Sequence, residues 1–190
     1  LLVLVGISAA LEFAKVSVVF DAVATHYAAP ASVAAWFVSL PAVATLVFGL
    51  TGSVVAERIG FRRSLIGSLA LATVLSASQA LLPVLPLFLL TRLIDGIVQL
   101  GIVIAGPVLI LQFARPSSRA IAMALWGSFF GCAFALAGWL GPEMVTAAGL
   151  PAIFVAHALF AMVLLGAVAV WLPRVPGDGP NTTATSLGFV

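Results

Sequence analysis

The chain has 190 residues, of which 63 % are hydrophobic and only 7 % are charged, and its formal net charge is +2. Soluble domains carry about 25 % charged residues, so this composition excludes an ordinary soluble protein and indicates a membrane protein. The small basic excess comes from a few arginines and does not indicate a nucleic-acid partner. The single cysteine, Cys132, excludes a disulfide framework and a cysteine-rich metal site.

Six apolar stretches divide the chain, and each is long enough to cross a hydrocarbon core of roughly 30 Å as a helix. They lack the two-residue alternation of membrane β-strands, so the sequence predicts an all-α membrane protein. The predicted helices cover residues 1–26, 33–56, 64–84, 87–113, 120–142 and 152–172. We expect one six-helix bundle over residues 1–173 and a polar, turn-rich cytoplasmic linker over residues 174–190.

The arginines outside the predicted helices all lie in alternate loops. They are Arg58, Arg62, Arg63, Arg115, Arg119 and Arg174. The other three loops contain no lysine or arginine. Because basic residues stay on the cytoplasmic side during insertion, we expect a multi-pass protein of the cell membrane with both its amino terminus and its carboxy-terminal tail in the cytoplasm.

The first predicted helix carries three charged residues, Glu12, Lys15 and Asp21. Charged side chains are costly inside a membrane and usually serve a function there. At about 100° per residue, Glu12 and Lys15 lie about 60° apart, whereas Asp21 lies opposite Glu12 on a straight helix. We therefore expect Glu12 and Lys15 to face a central cavity and Asp21 to lie near its outer mouth.

A charged motif follows the second predicted helix. It consists of Glu57, Arg58, Gly60, Arg62 and Arg63. Gly60 permits a tight turn between antiparallel helices, and the acid and the arginines can form a charge network that closes the cytoplasmic face. The motif resembles the cytoplasmic signature of the major facilitator superfamily, roughly Gly-x-Leu-Ala-Asp-Arg-x-Gly-Arg-Arg, with Glu57 for Asp and Ser53 for the first Gly. The resemblance implies a cytoplasmic gate at these residues.

The fourth predicted helix contains a second charged group. Arg92, Asp95 and Gln99 span only about 60° of the helix surface, so we expect this polar stripe to face the charges of the first helix across a cavity for substrate and protons. The run from Arg92 to Gly96 resembles the Arg-x-x-x-Gly signature of the same family, with Asp95 where Gln is common.

The buried charges allow two sets of ion pairs. One set joins the helices, as Asp21–Arg92 and Lys15–Asp95, and the other is local, as Glu12–Lys15 and Arg92–Asp95, each three residues apart. Three acids against two bases leave one carboxylate without a full partner, and such a group favours its neutral form in low dielectric. Glu12, nearest the middle of the membrane, is our candidate for proton coupling. The alternative is a static network that holds the two helices together.

The fifth predicted helix is rich in glycine. Small residues let membrane helices approach closely, and the pattern of Trp126-Gly127, Gly131, Gly138 and Gly141-Pro142 has some resemblance to the signature of drug:proton antiporters. The glycines expected at helix contacts are Gly96, Gly131, Gly138 and Gly141. In the sixth predicted helix we expect His157 to have a structural role.

The resemblance covers essentially the whole chain and corresponds to the amino-terminal half of a twelve-helix transporter, built as an inverted three-plus-three repeat. It implies secondary transport of a small solute by alternating access, coupled to protons, with efflux as one direction. The implied partners are the lipid bilayer, a small-molecule substrate, protons, and a second six-helix half in the same chain or a dimer partner. We expect no cofactor or metal.

Two other interpretations remain open. A stand-alone six-helix protein could act as a homodimeric transporter or as an assembly subunit. An intramembrane enzyme is the weaker alternative, because the chain contains neither Gly-x-Ser-x-Gly nor His-Glu-x-x-His. We therefore expect no enzymatic activity.

Overall fold

The computed structural model describes residues 1–173, which form nine α-helices, a short 3-10 turn and no β-strand in that range. The helices are α1 (Leu2–Ser17), α2 (Phe20–His26), α3 (Ala31–Ala34), α4 (Trp36–Ile59), α5 (Phe61–Ala80), α6 (Leu85–Phe113), α7 (Arg119–Gly127), α8 (Phe129–Ala148) and α9 (Pro151–Trp171). The prediction of an all-α protein is confirmed. The predicted linker over residues 174–190 lies outside the described residues.

Within residues 1–173, four segments are long and apolar enough to cross a membrane, namely Ala31–Ile59, Leu85–Phe113, Pro116–Ala148 and Pro151–Trp171. Helices α1 and α2 together form a fifth candidate, which is bent by 58°. Helix α5 has 20 residues, or about 30 Å at the helical rise. Its serines, glutamine and arginines make it less apolar than the others, so its assignment to the third predicted span, residues 64–84, rests on its place in the bundle.

The first span is not the continuous helix that was predicted over residues 1–26. It breaks at Val18 and Val19, between α1 and α2. The hydroxyl of Ser17 donates a hydrogen bond to the Phe13 carbonyl oxygen at 2.9 Å, a contact within one helix that tends to bend it. The bend reorients α2 relative to α1, so angles counted along a straight helix do not apply to Asp21.

The helices pack in the same pattern in the two halves of the bundle. Helix α4 packs on α6 as α8 packs on α1, and α5 contacts α6 as α9 contacts α1. Helix α5 also contacts α9, and α1 contacts α6. If α1 is exchanged with α6, α4 with α8 and α5 with α9, this set of contacts is unchanged. The arrangement is consistent with a three-plus-three repeat.

Helices α1, α5, α6 and α9 form the centre of the bundle, and α4 and α8 lie outside it. Only 22 % of the most apolar stretch of α3–α4 and 17 % of that of α7–α8 are buried, against 56 % for α6. The outer faces of α4 and α8 carry large apolar side chains, such as Leu46, Leu50 and Trp139. The buried polar residues therefore belong to the four central helices.

Two of the four predicted packing glycines lie at helix contacts. A Cβ atom on Gly96 would collide with the backbone of Pro41, and one on Gly141 would lie 3.0 Å from a methyl group of Val18. Within residues 1–173, Gly131 and Gly138 do not lie at a helix contact, because nothing beyond their chain neighbours and the local helix backbone lies within 4 Å of a Cβ at either position. Both face away from the bundle on the uncovered side of α8.

Candidate functional site

The charged residues predicted in the first and fourth spans lie together in the interior of the bundle. Glu12, Lys15, Arg92 and Asp95 are all at most 1 % exposed, and Gln99 is 7 % exposed. Helix α1 contributes the first two side chains and α6 the others. Four charged side chains are thus removed from solvent on the two central helices that correspond to each other in the repeat.

Lys15 is the centre of the first half of the network. Its ammonium group lies 2.5 Å from Glu12 Oε2 and donates to Ser76 Oγ at 2.9 Å. The third short contact is to His157 Nδ1, at 3.3 Å. A lysine ammonium group has three N–H donors, so these partners account for all of them.

His157 connects three of the central helices. Its Nε2 lies 3.0 Å from the Ser8 carbonyl oxygen, which can only accept, and its Nδ1 lies 2.9 Å from Ser76 Oγ. We therefore assign the neutral tautomer in which Nε2 carries the hydrogen and Nδ1 accepts, an assignment made from the hydrogen-bond network. Glu12 Oε2 lies 3.9 Å from the same Nδ1, so the carboxylate and the imidazole share Lys15.

Asp95 is the centre of the second half of the network. Its Oδ2 accepts from Arg92 Nη1 at 2.5 Å and from Gln79 Nε2 at 2.6 Å. Arg92 Nε also donates to the Phe37 carbonyl oxygen at 2.8 Å, and Gln79 donates to Thr91 Oγ1 at 3.1 Å. These bonds hold α4, α5 and α6 together around one carboxylate.

The structure contains pairs from both predicted sets. The two local pairs, Glu12–Lys15 and Arg92–Asp95, form, and Lys15 Nζ lies 3.7 Å from Asp95 Oδ2. The polar stripe of α6 therefore faces Glu12 and Lys15, but in direct contact and not across an open cavity. The predicted Asp21–Arg92 pair is absent from residues 1–173, because Asp21 lies exposed beyond the bend and Arg92 pairs with Asp95 of its own helix.

Each buried carboxylate keeps one oxygen without a hydrogen bond. Among the described buried side chains, the acceptors without a partner are Glu12 Oε1, Asp95 Oδ1, Gln79 Oε1 and Gln99 Oε1, and the only donor is Arg92 Nη2. Unpaired buried polar atoms are uncommon in native structures. Either carboxyl group could therefore carry a proton on its free oxygen while its other oxygen stays on a cation.

Several members of the network were not predicted from the sequence. Ser76 and Gln79 of α5 are fully buried, and His157, expected to be structural, contacts Lys15 directly. The available signal was the spacing of Ser76 and Gln79, three residues apart on one face of a membrane helix. Nothing in the sequence alone places that face against Lys15 and Asp95.

The charged motif that follows the second predicted helix does not form the charge network that was predicted. Gly60 makes the turn between α4 and α5 with φ 96°, as expected, but no ion pair joins Glu57 to an arginine within residues 1–173. Glu57, Arg58 and Arg63 are exposed. Arg62 instead donates to the carbonyl oxygens of Leu172 and Ala169, both at 2.9 Å, and so satisfies the carboxy-terminal end of α9.

Replacing Arg62 with alanine should lower the free energy of unfolding by about 1.5–3 kcal/mol, the usual net value of a hydrogen bond that involves a charged group. The loss follows because two carbonyl groups at the end of α9 lose their donor. Thermal unfolding in detergent measures the change. Arg63→Ala is the matched control and should melt like the wild type, and equal melting of both variants would contradict the capping role of Arg62.

Comparison with known proteins agrees with this geometry. The chain matches the family model described as Major Facilitator Superfamily over residues 2–188. No curated protein matches it significantly. The family match covers nearly the whole chain, and the helical bundle with apolar spans is the architecture that such a transporter requires. The chain therefore belongs to the Major Facilitator Superfamily, a family of integral, multi-pass membrane proteins that transport small solutes.

Proposed function

We propose that this protein couples the transport of its solute to protons through the buried network of Glu12, Lys15, Arg92 and Asp95. One observation carries the proposal. Each of the two carboxylates is held by a cation through one oxygen and leaves the other oxygen without a hydrogen bond. A proton can therefore bind without first breaking an ion pair.

The charge of the network supplies the coupling. Two carboxylates and two cations sum to zero, and a neutral set of charges is the one that can stay buried at the lowest cost. One added proton leaves a cation in excess, and an unbalanced charge inside a membrane bundle is costly. Protonation therefore favours a state in which the network opens to water or meets a compensating charge on the solute.

The contact between Lys15 and Asp95 supplies the mechanical link. It joins α1 to α6, with 3.7 Å between Lys15 Nζ and Asp95 Oδ2. Helix α1 belongs to the first half of the repeat, α1–α5, and α6 to the second, α6–α9. A proton on Glu12 or Asp95 weakens the hold of one carboxylate on Lys15. The contact between α1 and α6 is then loosened, and this change in the bundle can accompany its movement against a second bundle during alternating access.

Alternating access also requires a second bundle. The exposed apolar faces of α4 and α8 support such a partner, supplied by a second half of the same chain or by a second copy. The arginines near the α4–α5 turn and between α6 and α7 support an orientation with those ends in the cytoplasm of a cell-membrane protein. The direction of the solute flux relative to an imposed pH gradient distinguishes symport from antiport and uptake from efflux.

Glu12→Gln should remove the dependence of transport on the pH gradient and leave solute exchange intact. The amide cannot take up a proton, so one step of the coupled cycle is lost. Proteoliposomes measure this with radiolabelled glucose, leucine and hexanoate and with fluorescent ethidium, each under both directions of pH gradient and in counterflow without a gradient.

Glu143→Gln is the matched control, because Glu143 is an exposed residue of α8 and its variant should behave like the wild type. A wild-type flux that ignores the pH gradient would contradict proton coupling. A Glu12→Gln flux that still follows the gradient would contradict the role of Glu12.

A further inference from the structure

An apolar crevice reaches the charge network from the side. It has a volume of about 210 Å³ and lies between α1, α8 and α9. Two of its twelve lining residues are polar, Lys15 and His157, and the other ten are apolar, including Leu11, Leu136 and Phe160. The crevice is therefore an apolar space with a cationic group on its wall.

The crevice opens on an apolar surface. Leu136 and Leu140 of α8 line it and are 42 % and 43 % exposed, so they form its rim. Lys15 and His157 are almost fully buried and therefore lie at its inner end. A molecule that enters with its apolar part among the leucines has Lys15 at its far end.

Glu12 is the residue that such a molecule would compete with. It holds Lys15 at 2.5 Å but does not line the crevice. Lys15 thus lines the crevice and pairs with Glu12, which does not line it. The other charged or titratable groups around Lys15 are His157 of α9 and the Asp95–Arg92 pair of α6. Helix α5 contributes two uncharged polar residues, Ser76 and Gln79. Helix α8 contributes apolar residues to the crevice.

We propose that the crevice binds a small amphiphilic carboxylate, with its tail among the apolar residues and its carboxylate on Lys15 in place of Glu12. The displaced Glu12 then takes one proton from water and becomes a neutral carboxyl group. One anion and one proton enter together, so the charge of the buried network is unchanged. This inference rests on the proposed proton coupling and names the substrate class that would use it.

The size of the crevice limits the tail. A volume of 210 Å³ is smaller than the roughly 300–1,000 Å³ of sites for drug-sized ligands. It holds roughly seven non-hydrogen atoms at the ~30 Å³ that a water-sized group occupies. A carboxylate with a short alkyl tail, such as hexanoate, matches this volume.

Calorimetry with hexanoate tests the proposal directly. The full-length protein in lipid nanodiscs is titrated with hexanoate in phosphate and in Tris, two buffers whose different ionisation enthalpies report the protons taken up on binding. Empty nanodiscs give the baseline for partition into lipid. We expect the wild type to take up about one proton for each hexanoate, and Glu12→Gln to bind hexanoate without proton uptake.

Matched ligands and variants locate the site. Hexanamide and hexylammonium should bind at least tenfold more weakly than hexanoate, because neither presents an anion to Lys15. Lys15→Gln should weaken hexanoate binding at least tenfold. Leu136→Trp, at the exposed rim, should do the same by filling the crevice, and it leaves the charge network intact.

Three results would overturn the proposal. They are hexanoate binding no greater than in empty nanodiscs, binding without proton uptake in the wild type, and binding that survives both Lys15→Gln and Leu136→Trp. Failure here is separable from failure of the proposed coupling. A pH-driven flux of another solute without hexanoate binding would contradict only the proposed carboxylate site. A Glu12→Gln flux that follows the pH gradient would contradict the proposed coupling itself.

Discussion

Replacing Arg92 with alanine should abolish transport while leaving membrane insertion intact. Its guanidinium group is fully buried, 2.5 Å from Asp95 Oδ2 and 2.8 Å from the Phe37 carbonyl oxygen. Without it Asp95 loses its principal cation, and breaking one partner out of a buried ion pair costs about 3–5 kcal/mol. Insertion depends on the apolar spans and on the loop arginines, which are unchanged. Solute flux in proteoliposomes and the yield of monodisperse protein from membranes measure the two effects.

Two further variants separate the loss of charge balance from general damage. Arg119→Ala removes an exposed arginine and should transport normally. The double variant Arg92→Ala/Asp95→Ala should recover part of the lost stability, because it leaves no unpaired carboxylate, but it should not recover transport. Normal transport by Arg92→Ala alone would contradict a functional role for the network.

Replacing Gly96 with valine should strongly destabilise the bundle. A Cβ at this position would collide with the carbonyl oxygen and the Cα atom of Pro41, and neither backbone atom can move aside as a side chain does. We expect a loss at or above the upper end of the ~1–3 kcal/mol typical of overpacking. For a chain of this size, 3 kcal/mol lowers the melting temperature by roughly 6–12 °C.

Gly131→Val is the matched control for Gly96→Val. Gly131 lies on α8 with open space beyond it, so its variant should melt within about 0.5 kcal/mol of the wild type, as surface changes do. Loss of transport with normal melting in Gly131→Val would indicate that a partner bundle covers α8. Normal melting in Gly96→Val would contradict the close contact of α4 and α6.

The helical class and the buried charges were predictable because both depend on local properties of the chain. A long apolar run forms a helix in a membrane whatever its neighbours, and a charge within such a run must be buried or paired. Glu12–Lys15 and Arg92–Asp95 each lie three residues apart, so their pairing follows from helix geometry. The turn at Gly60 follows in the same way from the backbone freedom of glycine.

Contacts between helices were less predictable, because they depend on how each helix is rotated and bent. The break at Val18 and Val19 moved Asp21 away from Arg92, although a straight helix allowed that pair. The glycines of α8 show the same limit, since Gly141 packs against α1 while Gly131 faces outward.

The sequence by itself therefore determined a helical membrane bundle with four buried charges on two of its spans, because hydropathy and helical periodicity are properties of single segments. The tertiary structure alone decided that Ser76, Gln79 and His157 complete the network and that an apolar crevice ends at Lys15. These features arise where α1, α5, α6, α8 and α9 meet, and the relative rotation of packed helices is not written in the periodicity of any one of them.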